Sequence, residues 1–120
     1  SQYSAPSLHR ARYAMGTTTF NNLAIFAGGE SLELRDESED EYYTAMSQEI
    51  DTYTNTLTHK WYTMQYARGF CAPVGLDHNM IIRGGHSFSY ADSIGQTAEI
   101  IDRNFTSTIL SNISPRSLIN

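Results

Sequence analysis

Short apolar runs alternate with polar turns along the chain, and none has the spacing of an amphipathic helix. The clearest run, Leu23–Ala27, is apolar throughout and directly follows the pair Asn21-Asn22. Asparagine tolerates positive φ and favours tight hairpins, and a short continuous apolar run is typical of a strand buried on both faces. The stretch therefore predicts a β-hairpin with a buried return strand.

The same pattern recurs along the chain and predicts an all-β protein. In the predicted strand 57–62, Leu57, His59 and Trp61 alternate with polar residues and so share one face. Pro73 interrupts a later run, and a proline within a strand requires a sheet edge or a bulge. We predict eight main strands, at residues 14–19, 23–27, 47–53, 57–62, 70–75, 79–83, 97–101 and 106–110.

Two features recur at one constant interval, which indicates an internal repeat. Two diglycines start at Gly28 and Gly84, and the interval between them is the same as that from Arg12 to Arg68. Further along, the stretch 50–54 matches 98–102 at a shorter interval, because the first loop is longer than its counterpart. A loop whose length changes without disturbing the repeat is not required by the fold.

The repeat divides the chain into parts. Residues 8–63 form the first copy and residues 64–111 the second, with residues 1–7 as the end of a preceding strand or a linker. At the shorter interval Arg68 matches Arg116, so we expect residues 112–120 to start a third copy. Since both ends fall within the repeat cycle, we expect a fragment of a longer repeat array, with a chain that assembles with other copies as the alternative.

These residues resemble the kelch repeat. That pattern has an arginine near the start, a hairpin, a strand ending in diglycine, a variable loop, an aromatic on the third strand and a tryptophan on the fourth. In the second copy isoleucines replace the two aromatics. The matching residues are Arg12, Gly28, Gly29, Tyr53 and Trp61 in the first copy, and Arg68, Gly84 and Gly85 in the second.

The resemblance implies a β-propeller, in which each copy is one four-stranded antiparallel blade. The chain would then hold two consecutive blades, an open fragment of a kelch-like propeller. Propellers need roughly four to eight blades, so further blades of the same chain or other copies are needed to close the ring. Trp61 would pack between blades, and Trp61→Ala would then cost about 3–5 kcal/mol.

Charge is concentrated in one segment of the first copy. Residues 30–41 hold seven acids against Arg35, a net −6, while the net charge of −5 leaves +1 for the rest of the chain. This balance argues against nucleic acid as a partner, since binding to phosphates requires a basic surface. We expect the segment from Glu30 to Tyr43 to project from the blade. Its candidate contact residues for a protein partner are Glu37, Glu39, Asp40, Glu41, Tyr42 and Tyr43.

The sequence contains no catalytic motif, and we predict no metal site and no cofactor. The acidic segment lacks the central glycine of a calcium loop, and the four histidines have no metal-ligand spacing. The single cysteine, Cys71, fits a buried apolar position. No stretch of about 20 apolar residues that could span a membrane is present. A single cysteine and the lack of a leader favour the cytoplasm.

Two classes of function remain open. The first is a protein–protein interaction module that contacts its partner through the blade loops, since variable loops on a rigid scaffold set partner choice. The second is part of a kelch-type propeller enzyme, an oxidase or a sugar isomerase, whose catalytic residues lie mostly outside this chain. The resemblance implies both classes, and the residues favour the first because no polar cluster of an active site is evident.

Overall fold

The described part of the chain is built from strands alone. A computed structural model describes residues 7–31, 45–85 and 95–111. The predicted all-β class is confirmed. The strands are β1 Gly16–Phe20, β2 Leu23–Ala27, β3 Glu30–Ser31, β4 Ala45–Met46, β5 Glu49–Tyr53, β6 His59–Thr63, β7 Ala72–Gly75, β8 Asn79–Arg83, β9 Ala98–Asp102 and β10 Ser107–Leu110.

Eight of these strands form two antiparallel sheets of four. The first sheet, here blade 1, has the order β1-β2-β5-β6, and the second, blade 2, has the order β10-β9-β8-β7. The sheets are open rather than closed into a barrel. Strands β1 and β7, here called the inner strands, lie against each other. This is the arrangement of consecutive propeller-like blades. Pro73 lies on β7, an edge strand of blade 2, as its missing donor requires.

The hairpin and strand predictions hold, with shifts at the strand ends. Burial of the return strand on both faces was wrong, because β2 is buried on one face only. Asn21 and Asn22 have φ of 52° and 60°, as a tight turn between β1 and β2 requires. Ala14 and Phe70 were predicted to lie in strands but precede them, because their φ of 58° and 56° is left-handed rather than extended. Leu57, with φ of 65°, likewise lies in the turn before β6.

The first two residues of the acidic segment are buried in a small two-stranded sheet, so the prediction that the segment projects from Glu30 onward is wrong at these residues. Glu30 and Ser31 form β3, which pairs with β4, and both side chains are buried. The main chain of Tyr13 exchanges two hydrogen bonds with that of Glu30, of 3.0 and 2.7 Å. These contacts tie the base of the segment to the chain just before β1. Residues 32–44 lie outside the described residues.

One hydrophobic core fills the space between the two blades. Blade 1 contributes side chains such as Ile25 and Ile50, and blade 2 contributes Met80, Ile82 and Ile101, all of them at most 1% exposed. Burying such side chains is the main favourable term in folding. Each blade thus depends on the other to cover one of its faces.

The inner strands approach so closely that two positions accept only glycine. A Cβ at Gly16 would lie 2.4 Å from Pro73 Cδ, and one at Gly75 would lie 1.8 Å from the carbonyl oxygen of Thr19. The Gly75 amide also donates to Thr18 Oγ1 at 3.2 Å. These contacts set the spacing between the blades.

The predicted repeat is visible in the backbone. Gly28 N donates to Glu49 O at 2.9 Å, and at the equivalent place in the second copy Gly84 N donates to Thr97 O at 3.1 Å. Positive φ also recurs at equivalent places, as in Leu57 and Phe105 with 65° and 60°. The two copies therefore share local conformation despite their different loop lengths.

Trp61 does not pack between the two blades, so this expectation is wrong. Its side chain points to the face of blade 1 turned away from blade 2, while Tyr62 points toward blade 2 and stacks on Phe105 at 3.9 Å. Trp61 is 45% exposed, and its ring stacks on His9 at 3.7 Å. The predicted alternation along β6 is confirmed, but the face that carries Trp61 is not the one that meets blade 2.

This placement changes the expected cost of removing the tryptophan. Trp61→Ala should lower the free energy of unfolding by about 1 kcal/mol, since it loses an aromatic stack at a half-open site. Ile50→Ala, at a fully buried position, should cost about 2–5 kcal/mol. Urea denaturation of both variants measures the difference, and equal losses would contradict the described packing.

Candidate functional site

The buried carboxylate of Asp51, on β5, joins several segments of blade 1. Strand β5 is the third strand of this blade in chain order. Asp51 Oδ2 accepts a hydrogen bond from Arg12 Nη1 at 2.7 Å, and neither side chain is exposed. Asp51 Oδ1 accepts from the His9 amide at 2.7 Å and lies 2.6 Å from His59 Nε2. Arg12 Nε in turn donates to the carbonyl of Gly28 at 2.6 Å. The arginine at the repeat start is thus joined to the diglycine and the third strand.

Blade 2 repeats this arrangement with different side chains. Arg68 Nη2 donates to Glu99 Oε2 at 3.0 Å, and Arg68 Nη1 donates to the carbonyl of Gly84 at 3.0 Å. Glu99 Oε1 accepts from the Gln65 amide at 2.7 Å and from Ser107 Oγ at 2.9 Å. These two donors stand at the repeat positions that His9 and His59 occupy in the first copy. The ion pairs Arg12–Asp51 and Arg68–Glu99 are therefore equivalent members of the repeat.

The surroundings of Asp51 favour its charged form. Burial alone would raise the pKa of Asp51. Hydrogen bonds from the His9 amide, His59 and Arg12, together with the Arg12 charge, outweigh burial, so the pKa lies below its ordinary value of 3.8. A carboxylate held this way is part of the fold at neutral pH rather than a proton donor.

An aromatic layer covers this ion pair on the free face of blade 1. His59 stacks on Tyr53 with ring centroids 4.8 Å apart, and Phe26 meets Tyr53 edge to face at 5.8 Å. Trp61 lies on the same face. The repeat-motif aromatics Tyr53 and Trp61 are thus brought together around Asp51, on a face that no other described sheet covers.

The diglycines allow the chain to pass close to its neighbours. Gly28 and Gly29 have φ of 68° and 102°, and a Cβ at Gly28 would lie 2.0 Å from the carbonyl oxygen of Arg68. That same oxygen accepts the Gly29 amide at 3.1 Å. Gly84 and Gly85 share the positive φ, at 68° and 82°. The first diglycine therefore connects blade 1 to the start of the next repeat.

The long connection of each copy begins at the same edge of its blade, after Ser31 in the first copy and after Gly85 in the second. We call this edge the loop edge. Tyr13 and Phe70 lie there on neighbouring segments, since the Phe70 amide donates to Ala14 O at 3.0 Å. They are 53% and 61% exposed. The Tyr13 hydroxyl donates to the Glu30 carboxylate at the base of the acidic segment. The predicted contact residues Glu37, Glu39, Asp40, Glu41, Tyr42 and Tyr43 lie outside the described residues.

The described residues offer little else for binding or catalysis. They contain no group of three or more His, Cys, Asp or Glu placed to hold a metal ion. Burial raises the pKa of the Cys71 thiol, which lies in the core as the sequence suggested. Over the same residues, no helix is long and apolar enough to cross a membrane.

The acidic partners of the repeat arginines were missed from the sequence. Asp51 and Glu99 stand at equivalent positions of two strands, in the stretches 50–54 and 98–102 that match each other. An acid at the same place in both copies was the available signal. Comparison with models of known protein families gives no match, and neither does comparison with curated proteins.

The low pKa of Asp51 predicts a pH dependence of stability. A carboxylate whose folded pKa lies below its unfolded value stabilises the fold above the unfolded pKa and loses that effect as pH falls through the folded pKa. The difference in free energy of unfolding between the native protein and Asp51→Asn should be largest near neutral pH and shrink below pH 3.8. Denaturant titrations from neutral to acidic pH measure it. A difference independent of pH would contradict the ion pair.

Proposed function

We propose that this chain forms two blades of a kelch-like β-propeller and acts as a protein–protein interaction module through the loops at its loop edge. The kelch assignment is supported by the motif residues and by the contacts that join them in both copies. Each repeat arginine donates hydrogen bonds to the carbonyl of its diglycine and to a carboxylate on the third strand of its blade. Further blades would complete the ring.

The exposure of the Phe70 ring carries the proposal of a contact surface. The equivalent residue in the first copy is Ala14, and both have a left-handed backbone, so the repeat fixes the conformation but not the side chain. A non-glycine residue in this conformation costs roughly 1–2 kcal/mol. A large ring held there at 61% exposure gains little from burial. Since the backbone conformation belongs to the repeat, the exposed ring is the feature that supports contact with a partner.

The neighbours of Phe70 extend this surface toward the acidic segment. Tyr13 is exposed beside it and is hydrogen-bonded to Glu30, the first residue of the segment. Exposed aromatic residues are enriched among residues that dominate interface energies. The acidic segment adds a net charge of −6. A partner with an apolar pocket beside basic side chains would suit both features.

Removal of the Phe70 ring should weaken partner binding without harming the fold. Leu57 is the matched control, because it is also apolar, exposed and left-handed but lies at the opposite edge. A partner is first captured with the full protein and identified, and its affinity for Phe70→Ala and Leu57→Ala is then measured by calorimetry. We expect a loss of about tenfold or more for Phe70→Ala only.

Two outcomes would contradict the proposal. Unchanged affinity for Phe70→Ala would remove this ring from the contact surface, and equal losses for both variants would point to a general effect. In the same assay, a Gly-Ser replacement of residues 32–41 measures the share of the acidic segment. That share should decrease with added salt, because exposed charges are screened.

A further inference from the structure

A groove opens between the two blades at the edge opposite the loop edge, and we call it the turn groove. It is lined by Thr52, Thr54, Lys60 and Tyr62 of blade 1 and by Arg103 and Phe105 of blade 2. Tyr62 and Phe105 stack on each other there and pack against the core between the blades. The groove has a volume of about 310 Å³, which is the size of a small-molecule site.

Two positive side chains line the turn groove, and no carboxylate of the described residues does. Lys60 shares with Tyr62 the face of β6 that meets blade 2, and Arg103 lies on the turn between β9 and β10. The described residues form no hydrogen bond or ion pair with the Lys60 ammonium. Asp77 and Asp102, on the turns next to Arg103, are not among the lining residues. A cleft lined by charge of one sign attracts ligands of the opposite sign.

The fold requires neither of these cations. Thr108 stands in the second copy where the first has Lys60, and Asn55 stands in the first copy where the second has Arg103. Both copies nevertheless form the same pair of antiparallel strands around these positions. The two charges are therefore additions to the repeat, and both of them line the same groove.

The turn beside Lys60 also lacks the acid that its counterpart carries. Thr54 Oγ1 accepts a hydrogen bond from the Thr58 amide at 3.0 Å, and at the equivalent place Asp102 Oδ1 accepts one from the Thr106 amide at 3.0 Å. The same backbone contact is thus made by a neutral hydroxyl in the turn groove and by a carboxylate in the second copy. A carboxylate at position 54 would line the groove and offset its positive charge.

Arg103 is oriented by the protein itself. Its Nε and Nη2 both donate to the carbonyl of Asp77, at 3.2 and 2.6 Å. Its Nη1 has no acceptor in the part of the chain that the structure describes. A guanidinium held by two bonds loses less freedom when it binds a ligand, and its remaining donors keep a fixed direction.

We propose that the turn groove binds a small organic phosphate monoester. Such a group carries roughly two negative charges at neutral pH, and these match Lys60 and Arg103. Charged nitrogen donors form strong hydrogen bonds with phosphate oxygens, and the threonine hydroxyls add further donors. The Tyr62–Phe105 stack offers an apolar surface for the organic part. The proposal does not rest on the loop edge, which the Phe70 assay tests separately.

Titration of the full chain with phenyl phosphate, followed by nuclear magnetic resonance, tests this proposal. The amides of residues 54–60 and 103–106 should shift and reach saturation. Phenyl phosphate should bind more tightly than inorganic phosphate, which has no apolar part, and more tightly than phenyl sulfate, which has one negative charge fewer. Added salt should weaken the binding, because salt screens exposed charges.

Three variants replace a groove residue by its counterpart in the other copy: Lys60→Thr, Arg103→Asn and Thr54→Asp. Since the repeat accepts each of these residues, all three should fold, and circular dichroism checks this. Each should lower the affinity for phenyl phosphate about tenfold or more, because it removes a charged donor or adds a repelling charge. Arg83→Gln is the control, since it removes a positive charge outside the groove, at the loop-edge end of β8, and should leave the affinity unchanged.

Several results would overturn the proposal. Native protein without saturable shifts, or with shifts confined to other residues, would show that the groove does not bind the probe. Equal affinity for phenyl phosphate and inorganic phosphate, or for phenyl phosphate and phenyl sulfate, would exclude the proposed class of ligand. A loss for Arg83→Gln as large as that for Lys60→Thr would show a general effect of charge. If a variant fails to fold, the shifts of the native protein still decide.

Discussion

The ion pair between each repeat arginine and a buried carboxylate connects elements that are distant in sequence. In blade 2, Arg68 precedes the sheet, Gly84 follows a middle strand and Glu99 lies on the next one, yet the Arg68 guanidinium bonds both Gly84 and Glu99. An isolated charge in an apolar interior is very costly, so each group requires the other. The pair therefore fixes where the chain enters the blade and where the diglycine turns.

Packing between the blades depends on this arrangement. The backbone oxygen of Arg68 accepts the Gly29 amide, so the residue that forms the ion pair of blade 2 also holds the end of a strand in blade 1. Close contact of the inner strands at Gly16 and Gly75 then sets the spacing at which the core fills.

Much of this could be predicted because strands and repeats leave clear patterns. The Asn21-Asn22 turn and the apolar strand after it require only local backbone preferences, and the constant interval revealed two copies without knowledge of contacts. Side-chain placement was harder. Trp61 alternates correctly along its strand, but alternation cannot tell which face meets the neighbouring blade. Ala14 and Phe70 could not be recognised as left-handed, because only packing of the repeat requires that conformation.

The repeat spacing shows an acid at the same place in both copies, but it does not show that Asp51 and Glu99 are buried, since an acid within a strand normally faces solvent. Burial of these two carboxylates depends on arginines much earlier in the chain, which only the folded structure brings close. The two ion pairs also differ in detail. Arg12 Nε has an acceptor, whereas the buried Arg68 Nε has none among the described residues.

A double-mutant cycle on Arg68 and Glu99 tests the central role of this ion pair most directly. The free energy of unfolding is measured for Arg68→Met, Glu99→Gln and the double variant. Each single change should cost about 3–5 kcal/mol, because it leaves a buried charge without its partner. The double variant should cost less than the sum, with a coupling energy of about 0.5–3 kcal/mol. Single losses below about 1 kcal/mol, or losses that simply add, would contradict the account.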